Sequence, residues 1–155
     1  MAELVIFVGL QATGKTSFHR ARFAATHFHV SKDRMPRSCD REARQNRLLG
    51  AALGVGRDAV LDNTNPTRAS RRMPIAIAQA LGCTVVGYYF ESRLAPALAR
   101  NALRATAVPE VALRATAARL ERPSLAEGFT RLFHVALRDG TFVVSPWTEL
   151  SDEAR

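Results

Sequence analysis

Residues 9–16 read G-L-Q-A-T-G-K-T and place glycines, a lysine and a hydroxyl side chain in one short loop. The pattern G-x-x-x-x-G-K-[ST] is met at its fixed positions by Gly9, Gly14, Lys15 and Thr16. Such glycines let backbone N–H groups turn inward onto phosphate oxygens, and the helix that follows directs its positive end at the same anion. The loop therefore predicts a nucleotide site with these members: Gly9, Ala12, Thr13, Gly14, Lys15, Thr16 and Ser17.

Lys15 and Thr16 have separate predicted roles in that site. A lysine at this position reaches the β- and γ-phosphates, and the hydroxyl that follows it coordinates Mg²⁺. We therefore expect ATP or another nucleoside triphosphate as phosphate donor, Mg²⁺ or Mn²⁺ as the metal ion, and Thr16 as its protein ligand. The alternative is a glycine-rich turn with an exposed lysine.

A second group of side chains has the chemistry to handle a phosphate acceptor. Asp33 follows a predicted strand, and a carboxylate there can take the proton of an alcohol that attacks the γ-phosphorus. Arg34 and Arg37 flank it and are candidates to hold an anionic acceptor. The alternatives are a helix-capping or turn aspartate and two solvated arginines.

Asp62 and Asn63 end another predicted strand and are also assigned to the acceptor side of the site. A carboxylate at the position of Asp62 can additionally act on the water shell of a bound magnesium ion. The alternative for this pair is an Asx turn, in which the side chains only bond to the neighbouring backbone.

The segment from about residue 93 to residue 122 is rich in arginine and is predicted to form a helical lid. Arg100 and Arg104 are four residues apart, so on a helix they share one face. Two guanidinium groups on one face suit a lid that closes over a transferring phosphate, and we assign both to the nucleotide. The alternative is a solvent-exposed basic helix.

Apolar runs and helical segments alternate along the chain, which predicts an α/β fold: a central parallel sheet between helical layers, with the lid added. In such sheets functional groups gather at the carboxyl ends of the strands. Pro74 is expected to kink or restart its helix. The predicted strands are 4–8, 27–30, 59–61, 83–90 and 141–144, and the predicted helices are 15–26, 40–53, 67–81, 96–103 and 109–121.

Composition is that of one globular domain covering residues 1–155, with 47% apolar and 23% charged residues. No apolar run approaches the roughly 18 residues of a membrane span, and the start has no basic leader, so we expect a cytoplasmic protein. Cys39 and Cys83 suggest neither a zinc site nor a disulfide framework. Only Lys15 and Lys32 are lysines among 22 basic residues, and the net charge is +8. This arginine bias fits either a polyanionic partner or a genomic base composition.

Four segments together resemble the 5′-hydroxyl polynucleotide kinases, the end-healing enzymes of phages and animals, and they span most of residues 4–134. The phosphate loop is shared with many other kinases. V-S-K-D at 30–33 is similar to the family's strand ending in the general base. The third segment is D-N-T-N-P at 62–66 with S-R at 70–71. The fourth combines R-N-A-L-R at 100–104 and V-P at 108–109 with R-P-S-L-A-E-G-F at 122–129.

The resemblance implies a P-loop kinase fold in which Asp33 is the base and Arg104 is the lid arginine on the donor phosphates. The phage enzymes have an acceptor-phosphate arginine three residues after the base, where this chain has Pro36, so Arg34 or Arg37 would take that role. The phosphatase domain that both groups fuse to the kinase has no counterpart in this sequence.

The resulting hypothesis is transfer of the γ-phosphate of ATP to the 5′-hydroxyl of DNA or RNA, with Lys15, Asp33 and Arg104 as catalytic residues. The rival enzyme hypothesis is a kinase for a small alcohol such as a sugar, an antibiotic or a nucleotide sugar, since fold does not separate the two. A third hypothesis is a nucleotide-dependent switch with no acceptor chemistry.

Overall fold

The computed structural model describes residues 2–149. Strands and helices alternate along most of the chain, as the sequence predicts. Two short 3₁₀ turns, Lys32–Arg34 and Leu125–Glu127, lie between the longer elements. In chain order the elements are β1 Glu3–Val8, α1 Lys15–Arg22, β2 Phe28–Val30, α2 Arg41–Gly54, β3 Ala59–Leu61, α3 Arg68–Ala80, β4 Thr84–Phe90, α4 Leu94–Ala102, α5 Glu110–Arg119, β5 Arg131–Arg138 and β6 Thr141–Pro146.

The six strands form one sheet in the order β2-β3-β1-β4-β5-β6. All neighbours pair in parallel except β5 and β6, which form an antiparallel hairpin. β1 lies between β3 and β4, and its residue Ile6 is in register with Leu61 on one side and Gly87 on the other. The segments that follow β1, β2, β3 and β4 therefore leave the same edge of the sheet, and the phosphate loop leaves it near the centre.

Burial explains why β1 is the central strand. Its residues from Leu4 to Val8 are all fully buried, because both faces of the sheet are covered there. On one face α1 places Phe18 against Phe7 and Val60. On the other face lie the buried apolar residues of α2 and α3, among them Leu49 and Ile75. These layers hold the strand ends in place.

The predicted lid corresponds to α4 and α5, which pack on the phosphate loop. Leu10 of that loop is fully buried against Ala97 of α4 and Leu113 of α5. This small apolar cluster joins the lid to the loop that it covers. Within residues 2–149, no helix combines the length and apolar character needed to cross a membrane.

The predicted fold class is confirmed, but one strand was missed and one helix was misjudged. β5 reads R-L-F-H-V-A-L-R, a pattern without clear alternation, and it becomes a strand by pairing with β4. The hairpin signal was nevertheless available, because Asp139 and Gly140 both have positive φ, as expected of an Asp-Gly turn. α3 runs from Arg68 to Ala80 through Pro74 without restarting, and Pro74 lies on its buried face.

Candidate active site

The carboxyl edge of the sheet opens into a cavity of about 340 Å³ between the phosphate loop and the lid. Most of the residues predicted for the site line this cavity. Gly9, Thr13, Arg34 and Arg37 are not among the lining residues. The predicted residues that line it are Ala12, Gly14, Lys15, Thr16, Ser17, Asp33, Asp62, Asn63, Arg100 and Arg104.

The phosphate loop is held by short-range contacts that depend on its residue types. Gly14 begins α1 with a φ of 97°, and a β-carbon there would lie 2.8 Å from the ring of Phe142. The Thr13 hydroxyl donates to the carbonyl of Leu10 at 2.8 Å, inside the loop. The backbone N–H of Gly9 donates to the carbonyl of Thr64, which ties the loop to the segment after β3. Gly9 and Thr13 therefore shape the loop without lining the cavity.

Lys15 is a buried cation at the start of α1. Its Nζ donates to the carbonyl of Gly9 at 3.0 Å and to that of Leu10. The pKa of Lys15 is lowered from 10.5 to about 8, mainly by burial. The neighbouring Asp62 opposes this shift, Arg104 adds to it, and Asp33 opposes it. A polyanion in the cavity would stabilise the protonated form of this lysine.

Thr16 and Asp62 place hard oxygen donors at the floor of the cavity. The Thr16 hydroxyl donates to Oδ2 of Asp62 at 3.3 Å, and Asp62 is 5% exposed. Mg²⁺ is bound by one or two such protein oxygens together with substrate phosphates, so this donor set fits it. Within residues 2–149 no three His, Cys, Asp or Glu side chains form a metal-binding group.

Asp33 reaches the cavity from the 3₁₀ turn that follows β2. The backbone N–H of Lys32 donates to Oδ1 of Asn63 at 2.9 Å, and Nδ2 of Asn63 donates to Gln45 of α2 at 3.0 Å. The Asn63 amide thus anchors the turn that carries Asp33. It lines the cavity as predicted, but both ends of its amide are engaged in holding neighbouring elements.

Arg34 and Arg37 are both exposed, and neither lines the cavity. An NH group of Arg34 lies 3.0 Å from Nδ1 of His29, so its guanidinium turns towards β2. Arg37 follows Pro36 in the loop before α2. Both arginines are thus close to Asp33 in the sequence, but they lie outside the lining of the cavity.

The lid contributes Arg100 and Arg104, but not from one helix face. α4 ends at Ala102, so the prediction that both lie on one helix was wrong. Arg104 lies in the following turn, which Asn101 closes by accepting from and donating to the backbone of Val108. Nε of Arg100 donates to the carbonyl of Ala12 at 2.7 Å. Both arginines nevertheless line the same cavity as Lys15.

Sequence reasoning missed the framework beneath the loop. Nδ2 of Asn65 donates to the carbonyl of Phe7, and Asn65 has a positive φ of 43°. Arg71 is fully buried, donates to the carbonyl of Asn65, and forms a bidentate pair with Glu127. Asp62 and Asn63 were assigned to the acceptor and D-N-T-N-P was matched to a kinase family, but Asn65 was given no structural role. An asparagine directly before a proline was the available signal, because asparagine adopts positive φ more readily than most residues.

A histidine pair was missed as well. His29 of β2 lies 2.8 Å from Asp62, and its ring stacks on that of His19 from α1 with centroids 3.8 Å apart. Burial is the main cause that lowers the pKa of His19, and the neighbouring His29 lowers it further. Isolated histidines carry no sequence signal for such an arrangement, because it depends on how α1 packs on the sheet.

Comparison with known proteins gives one family and one curated relative. The profile of the family AAA_33, described as an AAA domain, matches residues 4–123. The chain is similar to a bifunctional polynucleotide phosphatase/kinase of Schizosaccharomyces pombe, with 28% identity over 144 residues. That match covers 88% of this chain and 34% of the relative, so the chain spans about a third of the relative's length.

Solved structures share the fold. A fungal RNA kinase matches with a TM-score of 0.64 and 15% identity, covering 87% of this chain and 38% of that chain. A gluconokinase from Sinorhizobium meliloti 1021 matches with a TM-score of 0.61 and 17% identity, covering 86% and 82%. At these identities the likeness shows the fold alone.

The fold is thus of the P-loop kinase type, with a nucleotide-binding loop. Membership of the 5′-hydroxyl polynucleotide kinases stays a prediction, because the curated relative is a distant one and the structural matches include kinases with other acceptors in their descriptions. The AAA_33 profile covers more than half of the 155 residues. The chain belongs to the AAA_33 family of AAA domains.

Proposed function

We propose that this chain transfers the γ-phosphate of ATP, or of another nucleoside triphosphate, to the 5′-hydroxyl of DNA or RNA. The observation that carries the proposal is one cavity that holds a buried lysine, an exposed carboxylate and two lid arginines. The lysine suits the donor phosphates, and the carboxylate suits a hydroxyl that arrives from solvent. Similarity to the yeast polynucleotide phosphatase/kinase over 88% of the chain supports the acceptor class.

In the proposed reaction, Asp33 accepts the proton of the acceptor hydroxyl as that oxygen attacks the γ-phosphorus. The bond between the γ-phosphorus and the β–γ bridging oxygen breaks, and the nucleoside diphosphate leaves. Lys15, Arg100 and Arg104 hold the charge on the transferring and leaving groups. Bound Mg²⁺, held by Thr16 with Asp62 beside it, would neutralise phosphate charge.

The acceptor class rests on the open side of the cavity. Asp33, Arg34 and Arg37 are all exposed, so the acceptor-side residues that follow β2 face solvent, where a long strand has room, whereas Asp62 is buried. The phosphodiesters next to a 5′ end are anions that these arginines can meet. A small neutral alcohol would leave the two guanidinium groups without a matching charge.

The direct test incubates the protein with γ-labelled ATP, Mg²⁺ or Mn²⁺, and 5′-hydroxyl oligomers of DNA and RNA, beside a pool of sugars and gluconate. We expect label on the oligomers and none with Lys15→Ala. Label on a small alcohol alone would replace the polynucleotide by a metabolite. Slow ATP hydrolysis that no acceptor changes, and that survives Asp33→Asn, would support a nucleotide switch.

Salt dependence tests how the acceptor is held. Each single-strand phosphate contact contributes about −0.7 to the slope of log affinity against log salt. We expect a steep slope for a 5′-hydroxyl oligomer. In Arg34→Ala or Arg37→Ala the slope should become less steep by about 0.7, the contribution of one phosphate contact. Arg131→Ala is the matched control, since this exposed arginine lies at the opposite edge of the sheet beside Glu3. A flat wild-type slope would contradict the proposed acceptor.

A further inference from the structure

His29 connects three parts of the site that sequence reasoning treated separately. Its Nε2 lies 2.8 Å from Oδ2 of Asp62, the same oxygen that accepts from Thr16. Its Nδ1 lies 3.0 Å from a guanidinium nitrogen of Arg34. A continuous chain of hydrogen bonds therefore runs from the turn that carries Asp33, through β2, to the floor of the phosphate site.

The partners of His29 determine its protonation. A guanidinium group has only donors, so Nδ1 of His29 must accept from Arg34. Nε2 then carries the proton and donates it to the Asp62 carboxylate. The two contacts fit an imidazole that accepts at Nδ1 and donates from Nε2, placed between the Arg34 cation and the Asp62 anion.

His19 fixes the plane of that ring. The two imidazoles stack with centroids 3.8 Å apart and planes 17° apart. His19 lies on α1 three residues after Thr16, so the helix that carries the Thr16 hydroxyl also carries the surface on which His29 rests. Nε2 of His19 is buried and has no hydrogen-bond partner within residues 2–149, which points to a packing role for this ring.

His29 is not needed to hold β2 in the sheet. Backbone pairing already aligns His29 with Val60, and the N–H of Asp62 donates to the carbonyl of Val30 at 2.8 Å. These are backbone bonds and do not involve the side chain at position 29. The imidazole is therefore available to orient the Asp62 carboxylate.

We infer that His29 is a positioning residue for phosphoryl transfer: its Nε2–H orients the Asp62 carboxylate beside the Thr16 hydroxyl, and its Nδ1 connects that pair to Arg34 in the acceptor turn. This inference rests on the proposed function for its effect on turnover. The orientation of Asp62 affects how Mg²⁺ and ATP bind, so it can be tested with no acceptor present.

Two amide substitutions separate the functions of the two ring nitrogens. His29→Gln can place an amide N–H near the position of Nε2 and keep the bond to Asp62. His29→Asn places its amide near Nδ1 and is too short to reach Asp62. His29→Ala removes both contacts. Because His29→Gln and His29→Asn are similar in polarity, the pair remains informative if the alanine variant does not fold.

We expect His29→Asn and His29→Ala to lower kcat by about tenfold to a hundredfold, the worth of one hydrogen bond to a charged group. His29→Gln should stay within about threefold of wild type. Affinity for ATP in EDTA should be unchanged in all three variants. The gain in ATP affinity on adding Mg²⁺ should fall in the asparagine and alanine variants and survive in the glutamine variant.

The matched control is His27, which makes the same kind of contact outside the cavity. Its Nε2 lies 2.8 Å from Oε2 of Glu3, and its Nδ1 lies 2.7 Å from the Thr26 hydroxyl. His27→Gln and His27→Ala should leave kcat and the Mg²⁺ effect on ATP affinity at wild-type values. Thermal unfolding of each variant shows whether a fall in kcat is explained by a loss of stability.

The tautomer is measured independently of turnover by long-range ¹H–¹⁵N spectra of the imidazole rings in the nucleotide-free protein. We expect a proton on Nε2 of His29 and none on Nδ1. A proton on Nδ1, wild-type kcat and Mg²⁺ effect in all three variants, or His29→Gln as impaired as His29→Ala would each overturn the inference. If no oligomer accepts phosphate, the proposed function fails, while the tautomer and the ATP-binding measurements still decide the role of His29.

Discussion

The two walls of the cavity are built in different ways. The sheet-edge wall consists of Asp33, Asp62 and Asn63, which follow β2 or β3. The N–H of Asp62 bonds to β2, and the Asn63 side chain joins α2 to the turn that carries Asp33. The lid wall consists of Arg100 and Arg104, which belong to a segment packed on the phosphate loop through Leu10. Side-chain contacts from the lid to that loop include Arg100 to Ala12 and Gln11 to Thr116.

The two walls differ in how many contacts a displacement of their residues would break. Displacing Asp62 would break the bond from its N–H to the carbonyl of Val30 and disturb the pairing of β3 with the edge strand β2. Lifting the lid would break the Arg100–Ala12 and Gln11–Thr116 hydrogen bonds and expose one small apolar cluster. Asp62 is thus held by the sheet, whereas Arg100 and Arg104 belong to the predicted lid, which we expect to close over a nucleotide.

Lys15→Ala should have the largest effect, because Lys15 stands where the two walls meet. Removing one preorganised donor of a transition-state charge already costs about 10²- to 10³-fold in rate. No other residue of the loop supplies a cation, so we expect Lys15→Ala to abolish phosphoryl transfer. Initial rates with labelled ATP measure it. Lys32→Ala, which removes the other lysine, should remain active. A Lys15→Ala variant with more than a tenth of wild-type rate would show that the loop does not serve the donor phosphates.

Asp33→Asn tests the sheet-edge wall. It preserves shape and removes the proton acceptor, so kcat should fall by about 10²- to 10⁴-fold with ATP affinity nearly unchanged. Asp40→Asn is the control, since Asp40 caps α2 by accepting from Ala43 and asparagine caps a helix equally well. Loss of ATP affinity with a normal rate on bound ATP would instead mark Asp33 as structural.

Arg104→Ala tests the lid wall and should have a smaller effect. Loss of one charge-assisted contact predicts a fall in kcat of about tenfold to a hundredfold, with thermal stability unchanged because Arg104 is exposed. Arg114→Ala is the control, because this lid arginine pairs with Glu110 and does not line the cavity. Equal losses in the two variants would mean that the lid acts through its overall charge.

The smallest effect concerns the proton on Lys15. Its pKa of about 8 leaves the lysine about half protonated at pH 8, and bound polyphosphate favours the charged form. ATP binding should therefore take up about half a proton at pH 8 and almost none at pH 6.5, and affinity should weaken as pH rises through 8. Calorimetry in buffers of different ionisation enthalpy measures the uptake, and Lys15→Met should abolish it. Proton release at pH 8 would contradict the assignment.

The parts of the site that were predictable depend on local residue types. The loop from Gly9 to Thr16 needs glycines and a lysine at set spacings, so its pattern is visible in one dimension. The buried strand before it is equally visible as an apolar run. Asp33 and Asp62 were found because polar residues directly after such strands converge in a parallel sheet.

The parts that were not predictable depend on where segments meet. Spacing alone placed Arg104 on a helix, but α4 ends at Ala102. Beyond that point the chain turns back, and the side chain of Asn101 bonds to the backbone of Val108. β5 was missed because its pattern suits a helix or a strand, and only pairing with β4 decides between them.

The amino-acid sequence by itself determined the phosphate loop, the order of strands and helices around it, and the carboxylates at the strand ends, because each follows from neighbouring residues. Only the tertiary structure decided that Asp62 meets His29, that His19 stacks on that ring, and that Arg34 turns towards it. Those contacts join residues from α1, β2 and the segment after β3. They depend on strand register and on helix packing across the sheet, which no local pattern encodes.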